Sequence, residues 1–99
     1  MIYIKEEWLD ELSECEDEPC LIALLSHFLG GSYNVGVRSL LVVDILIKNK
    51  IAIEVKYLRG KSRRKFYEGI GQALAYYYIL KFESVLIQFY DSLHRDILD

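Results

Sequence analysis

Hydrophobic positions change their period twice along this chain of 99 residues. Ile4, Trp8, Leu9, Leu12 and Cys15 recur at helical spacing between acidic residues, which predicts a short amphipathic helix with a negative polar face. Glu18-Pro19 reads as an N-cap followed by proline at the first helical position. Leu21, Ile22, Ala23, Leu24, Leu25, Phe28 and Leu29 then form a nearly all-apolar helix closed by Gly30-Gly31, and such a helix must be buried. From Tyr33 the period becomes two. Tyr33, Val35 and Val37 alternate with Asn34, Gly36 and Arg38; Leu40 to Ile47 is apolar on both faces apart from Asp44; Ile51, Ile53, Val55 and Tyr57 alternate with Ala52, Glu54 and Lys56. Three strands are expected, the latter two joined at Lys48-Asn49-Lys50. A helix from about Ser62 to Lys81 follows, with Ile70, Ala73, Leu74 and Tyr77 as its expected packing face, and Val85 to Tyr90 is a fourth strand.

This order predicts an α/β class and one domain over residues 1–99, with N-terminal helices in 1–31 and a core in 33–90. A hydrophobic content of 53% with a net charge of −3 argues against disorder. The longest stretch without a formal charge, Pro19 to Val37, contains Pro19, His27, Asn34 and two glycines and is a poor membrane span. The start lacks the basic-then-apolar order of a secretory signal, so an intracellular, cytoplasmic protein is expected. Cys15 and Cys20 are too few for a structural zinc site or a four-cysteine cluster and read as ordinary half-buried thiols.

Charge is strongly segregated. Met1 to Glu18 carries one base against eight acids, whereas Arg38 to Lys65 carries nine bases against Asp44 and Glu54. The central third is therefore as basic as many phosphate-binding surfaces. Arg59, Lys61, Arg63, Arg64 and Lys65 flank the start of the later helix. Positive side chains there oppose the helix dipole, an arrangement that makes sense if phosphate binds nearby; the alternative is a solvated loop.

Asp44 is the first residue to suggest chemistry, because it interrupts a strand that otherwise reads as fully covered. Burying an ionised carboxylate without a partner is heavily penalised, so Asp44 should have a cation, a metal or a raised pKa. Glu54 and Lys56 share one face of the next strand. By themselves they fit the solvent side of an amphipathic strand; Asp44 reverses that. If Ile47 pairs with Ile51 across a three-residue loop, Asp44 lies opposite Glu54, whereas a two-residue loop puts them on opposite faces unless a bulge compensates. Two facing carboxylates suit Mg²⁺, and a neighbouring ammonium can orient or deprotonate an attacking water.

Asp44 followed by Glu54-Val55-Lys56 within Ile51-Ala52-Ile53-Glu54-Val55-Lys56-Tyr57 resembles the signature of the PD-(D/E)XK, or restriction-endonuclease-like, nuclease superfamily, with Val43 where the family often has proline. Gln72-x3-Tyr76 is similar to the Gln-x3-Tyr motif of RecB-type nucleases. The resemblance spans roughly Tyr33 to Tyr90. It implies a mixed four-stranded sheet flanked by helices, Mg²⁺ (with Mn²⁺ as a substitute) on Asp44 and Glu54, a catalytic Lys56, and Gln72 supporting the site or the nucleic-acid backbone. Many members add a glutamate from the preceding helix as a ligand; Glu18 is the first candidate and Glu11 the second. Tyr76 joins the basic residues as an expected nucleic-acid contact, with a core or interface aromatic as the alternative.

The function expected from these residues is that of a metal-dependent deoxyribonuclease, with DNA and a second copy of the chain as partners and no membrane. Structure-selective cleavage like that of Holliday-junction resolvases is one option. The rivals are a non-catalytic nucleic-acid-binding or interaction protein that keeps the fold, and an acidic helical adaptor.

Overall fold

The computed structural model describes residues 3–39, 41–58 and 63–90. After a 3₁₀ turn at Glu6–Trp8 come α1 (Leu9–Ser13) and α2 (Glu18–Leu29), then β1 (Ser32–Val37), β2 (Leu41–Ile47), β3 (Ile51–Leu58), α3 (Arg63–Tyr78) and β4 (Glu83–Tyr90). The strands form one mixed sheet in the order β1-β2-β3-β4, antiparallel through β3, with β4 parallel to β3. Parallel pairing requires a crossover, and α3 supplies it. The expected α/β class with a four-stranded mixed sheet is therefore present.

The N-terminal helix is shorter than its apolar spacing suggested, and α2 begins one residue earlier. Asp17, not Glu18, is its N-cap: the Asp17 carboxylate accepts the Cys20 N–H at 3.0 Å, which leaves the Glu18 side chain available for another partner. Gly30, with φ of 72°, ends the helix in the left-handed region. Cys15 and Cys20 form a disulfide rather than remaining thiols. The bond ties the end of α1 to the first turn of α2 across the acidic segment 16–18.

The helices cover opposite faces of the sheet. Leu21, Ile22 and Leu25 of α2 pack on Ile45, Ile47, Ile53 and Val55, while Tyr76 and Leu80 pack on Val43, Leu46 and Ala52. Strict alternation would place Val43 beside Ile45, yet the two residues join opposite clusters. No residue has been inserted, because Tyr33↔Ile45 and Val35↔Val43 keep one register. The β1–β2 ribbon turns over between these pairs, where Asn34 adopts φ of 53° opposite Asp44.

The face of α3 that is buried is not the one expected. Gly69 and Tyr76 are buried, as is Leu80 just beyond the helix, whereas of the expected packing face Ile70, Leu74 and Tyr77 are exposed and Ala73 is half-buried. Hydrophobicity favoured the richer stripe, but the strand beneath requires the slimmer one. An added Cβ on Gly69 would lie 2.9 Å from Lys56 Cγ and 3.1 Å from Leu86 Cδ1, so only glycine lets the helix pass over Lys56 without displacement.

Candidate active site

The site forms where β2 separates from β3. The hairpin turn places Lys48 and Asn49 at positive φ, closes with the Lys50 N–H donating to the Ile47 carbonyl at 3.0 Å, and leaves Lys50 as the third loop residue. The ladder consequently runs Ile47↔Ile51, Leu46↔Ala52, Ile45↔Ile53, the register that faces Asp44 with Glu54. The ladder ends there among the described residues. Side chains then replace backbone acceptors along the β3 edge: the Val55 N–H donates to Asp44 Oδ2 at 2.9 Å, and the Tyr57 N–H donates to Glu18 Oε1 at 3.1 Å. Two carboxylates from different elements thus take over N–H groups that β2 no longer meets.

Glu54 lies behind this edge and is only 1% exposed. Its Oε1 accepts the Tyr76 hydroxyl at 3.1 Å; its Oε2 is buried without a hydrogen-bond partner, and the nearest cation is Lys56 Nζ at 4.0 Å. Burial and the adjoining Asp44 carboxylate push the Glu54 carboxyl up to about 9, against the smaller opposing pull of Lys56. The neighbourhood as it stands therefore favours a proton on Glu54 at neutral pH. Burial and the same two carboxylates also raise the Tyr76 phenol above its ordinary range, so it remains a neutral donor.

A hard divalent cation fits the chemistry of this pair. Two adjoining carboxylates and one unpartnered buried oxygen are what such an ion neutralises, and Mg²⁺ completes its shell with water. Among the described residues no three His, Cys, Asp or Glu side chains converge on one metal position. Glu18 is accordingly not brought into a ligand set with Asp44 and Glu54. It accepts the Tyr57 N–H and pairs with Lys65 Nζ at 2.7 Å, on the rim of a cleft of about 300 Å³ that Glu16, Pro19 and Tyr57 also line. Glu11, the second candidate, sits in the short exposed α1.

Tyr76 was expected on the nucleic-acid backbone. The structure buries it to 2% exposure, with its hydroxyl near the Val42 carbonyl and Glu54 Oε1, a position that leaves no surface for a phosphate. It holds Glu54 instead. Gln72, one turn earlier, is exposed. Arg63, Arg64 and Lys65 occupy the first turn of α3, which has no acidic residue; Arg64 pairs with Glu68 at 3.1 Å, while Arg59 and Lys61 lie outside the described residues. The cost of Gly69 and Gly71 to the helix suggests close approach of helix to sheet; Gly69 makes that approach, over Lys56, whereas a Cβ on Gly71 would meet nothing within 4 Å.

Gly69→Ala should destabilise the chain by about 1–3 kcal/mol, because the added methyl meets the middle of the Lys56 stem and the end of Leu86. Denaturant unfolding checks this; unchanged stability would show that the Lys56 stem moves aside freely. Compared with family models, curated proteins and solved structures, the chain matches none.

Proposed function

We propose that the chain is a divalent-metal-dependent deoxyribonuclease of the restriction-endonuclease-like type, with Asp44 and Glu54 holding Mg²⁺ or Mn²⁺. The observation that carries this is the unpartnered, buried Glu54 Oε2 beside Asp44 and Lys56. With both carboxylates ionised this arrangement is costly to the fold, whereas a cation bound there would make both favourable. When bound, the ion supplies charge neutralisation at the scissile phosphate. Hydrolysis forms one P–O bond from water and breaks one ester P–O bond, with a proton passing to the leaving oxygen. Lys56, on the same strand face as Glu54 with its ammonium 4.0 Å from Oε2, would orient the water and stabilise charge that grows on the phosphate. Tyr76 fixes the Glu54 carboxylate by its hydroxyl, and the basic first turn of α3 offers backbone contacts that carry no sequence information.

Incubating the purified chain with single strands, duplexes, flaps and four-way junctions, with Mg²⁺, Mn²⁺ or chelator, tests the proposal. Cleavage of at least one substrate that stops on chelation is expected. Binding without cleavage on every substrate would favour a nucleic-acid-binding protein of the same fold, for which the Lys56–Glu54 pair at 4.0 Å would be a purely internal ion pair.

Replacing Arg63, Arg64 and Lys65 together by Ala should weaken binding to all sequences similarly. The salt slope should fall by about 1 rather than 3, taking roughly 0.9 per duplex phosphate contact, because Arg64 is already engaged by Glu68 and Lys65 by Glu18. Affinity measured against salt checks this, and an unchanged slope would place the DNA path elsewhere.

A further inference from the structure

The stripe that α3 leaves outside is more apolar than the one it buries. Tyr67, Ile70, Leu74, Tyr77 and Tyr78 are 36–64% exposed, and they succeed one another at the three- and four-residue spacing of a helix-packing seam. Beside them a groove of about 410 Å³ runs to Ser84 and Leu86 of β4, the last strand in the sheet order. Gly71 lies on this stripe. A Cβ added there would meet nothing within 4 Å, so no contact inside the protomer requires glycine at a position where it weakens the helix by about 1 kcal/mol relative to Ala.

We infer that this face of α3 is the contact surface for a second copy of the chain, packed helix on helix about a two-fold axis. Three observations select a second copy over an unlike partner. The seam is self-complementary: in an antiparallel pairing that sets Leu74 of one copy over Gly71 of the other, the symmetry repeats the same contact and brings Tyr67 against Tyr78 at both ends. Gly71 then has its reason, since its missing side chain is the hole that receives Leu74. The area also suffices. With an aromatic side chain offering roughly 150–250 Å², the exposed parts of these residues amount to about 500 Å² per copy, or about 1,000 Å² in all, the lower bound for a specific interface. From Tyr67 to Tyr78 the stripe carries no charge; Lys81 lies beyond its end beside Tyr77 and Tyr78, and Arg64, which this register sets opposite it, is paired with Glu68 within its own protomer. None of this depends on the chemistry of Asp44 and Glu54.

Sedimentation velocity of the full chain, from about 1 μM to several hundred μM, tests the inference. An interface this small predicts a dimer whose Kd is on the order of micromolar. Leu74→Glu should leave a monomer throughout the range with an unchanged far-ultraviolet circular dichroism spectrum. Gly71→Ala keeps the helix folded, since Ala is the better helix former, and should weaken the dimer at least tenfold by filling the hole. Weaker association together with an intact or more stable helix is a signature that damage to the protomer fold does not produce. A wild-type chain that stays monomeric at every concentration, including one that covers the stripe with its own residues 91–99, overturns the inference. So does a dimer indifferent to both substitutions.

Discussion

Asp44→Asn and Glu54→Gln should each reduce cation-dependent DNA cleavage by roughly a thousandfold or more while the chain remains folded. The amides are chosen because each carboxylate has a structural duty besides its charge. Asp44 Oδ2 accepts the Val55 N–H, and Glu54 Oε1 accepts the Tyr76 hydroxyl; an amide oxygen serves both. Alanine at residue 44 would leave the Val55 N–H unsatisfied at a cost of about 1–3 kcal/mol, confusing lost chemistry with lost structure. Asp44→Asn removes the negative charge beside Glu54, and Glu54→Gln replaces a carboxyl that already keeps its proton with a neutral isostere, so the metal-free protein should be no less stable at neutral pH. Single-turnover cleavage with circular dichroism on the same samples checks both halves. Wild-type rates in either variant would move the chemistry away from the β2–β3 junction.

The second large effect concerns pH. Glu54 is buried beside Asp44, and its carboxyl is raised from 4.5 to about 9 in the folded chain. Between those values the folded state keeps a proton that the unfolded chain has released, so the native state binds more protons and stability falls as pH rises. The stabilising contribution is complete below the unfolded pKa and is lost progressively on the way to the folded one. Unfolding of the metal-free chain should thus become easier by on the order of 3 kcal/mol between about pH 5 and pH 7, with further loss toward pH 9. Glu54→Gln, which cannot ionise, should flatten this slope and be the more stable protein at alkaline pH. Denaturant titrations of both proteins across the range check it; parallel slopes would mean that Glu54 titrates normally.

Much of this site is legible in the chain because strand geometry is discrete. Once Lys48-Asn49-Lys50 is recognised as a three-residue connection, Asp44 can only face Glu54, and Lys56 must share that face. The succession of helices and strands along the chain and the burial of α2 follow from the same apolar patterning. What the chain hides is contextual. The choice between two stripes of α3 was decided by the Lys56 stem and by the need of the Tyr76 hydroxyl for Glu54, neither of which a hydrophobic period records. The face change between Ile45 and Val43, beside the left-handed Asn34 of β1, breaks the two-residue period with no glycine at that position to mark it. Cys15 and Cys20 looked like two isolated thiols because nothing in their spacing shows that α1 stops at Ser13 and turns back.

The proposal that Asp44 and the buried Glu54 hold a divalent cation is tested most directly by calorimetric titration of Mn²⁺ into the metal-free chain. Repeating the titration near pH 7.5 in buffers of different ionisation enthalpy counts the protons released, because a cation that takes the Glu54 carboxylate must displace the proton that burial and Asp44 hold there. The expected result is binding accompanied by proton release, tightening as pH rises toward 9 and absent in Glu54→Gln. Binding without proton release, binding that survives Glu54→Gln, or no binding would contradict it.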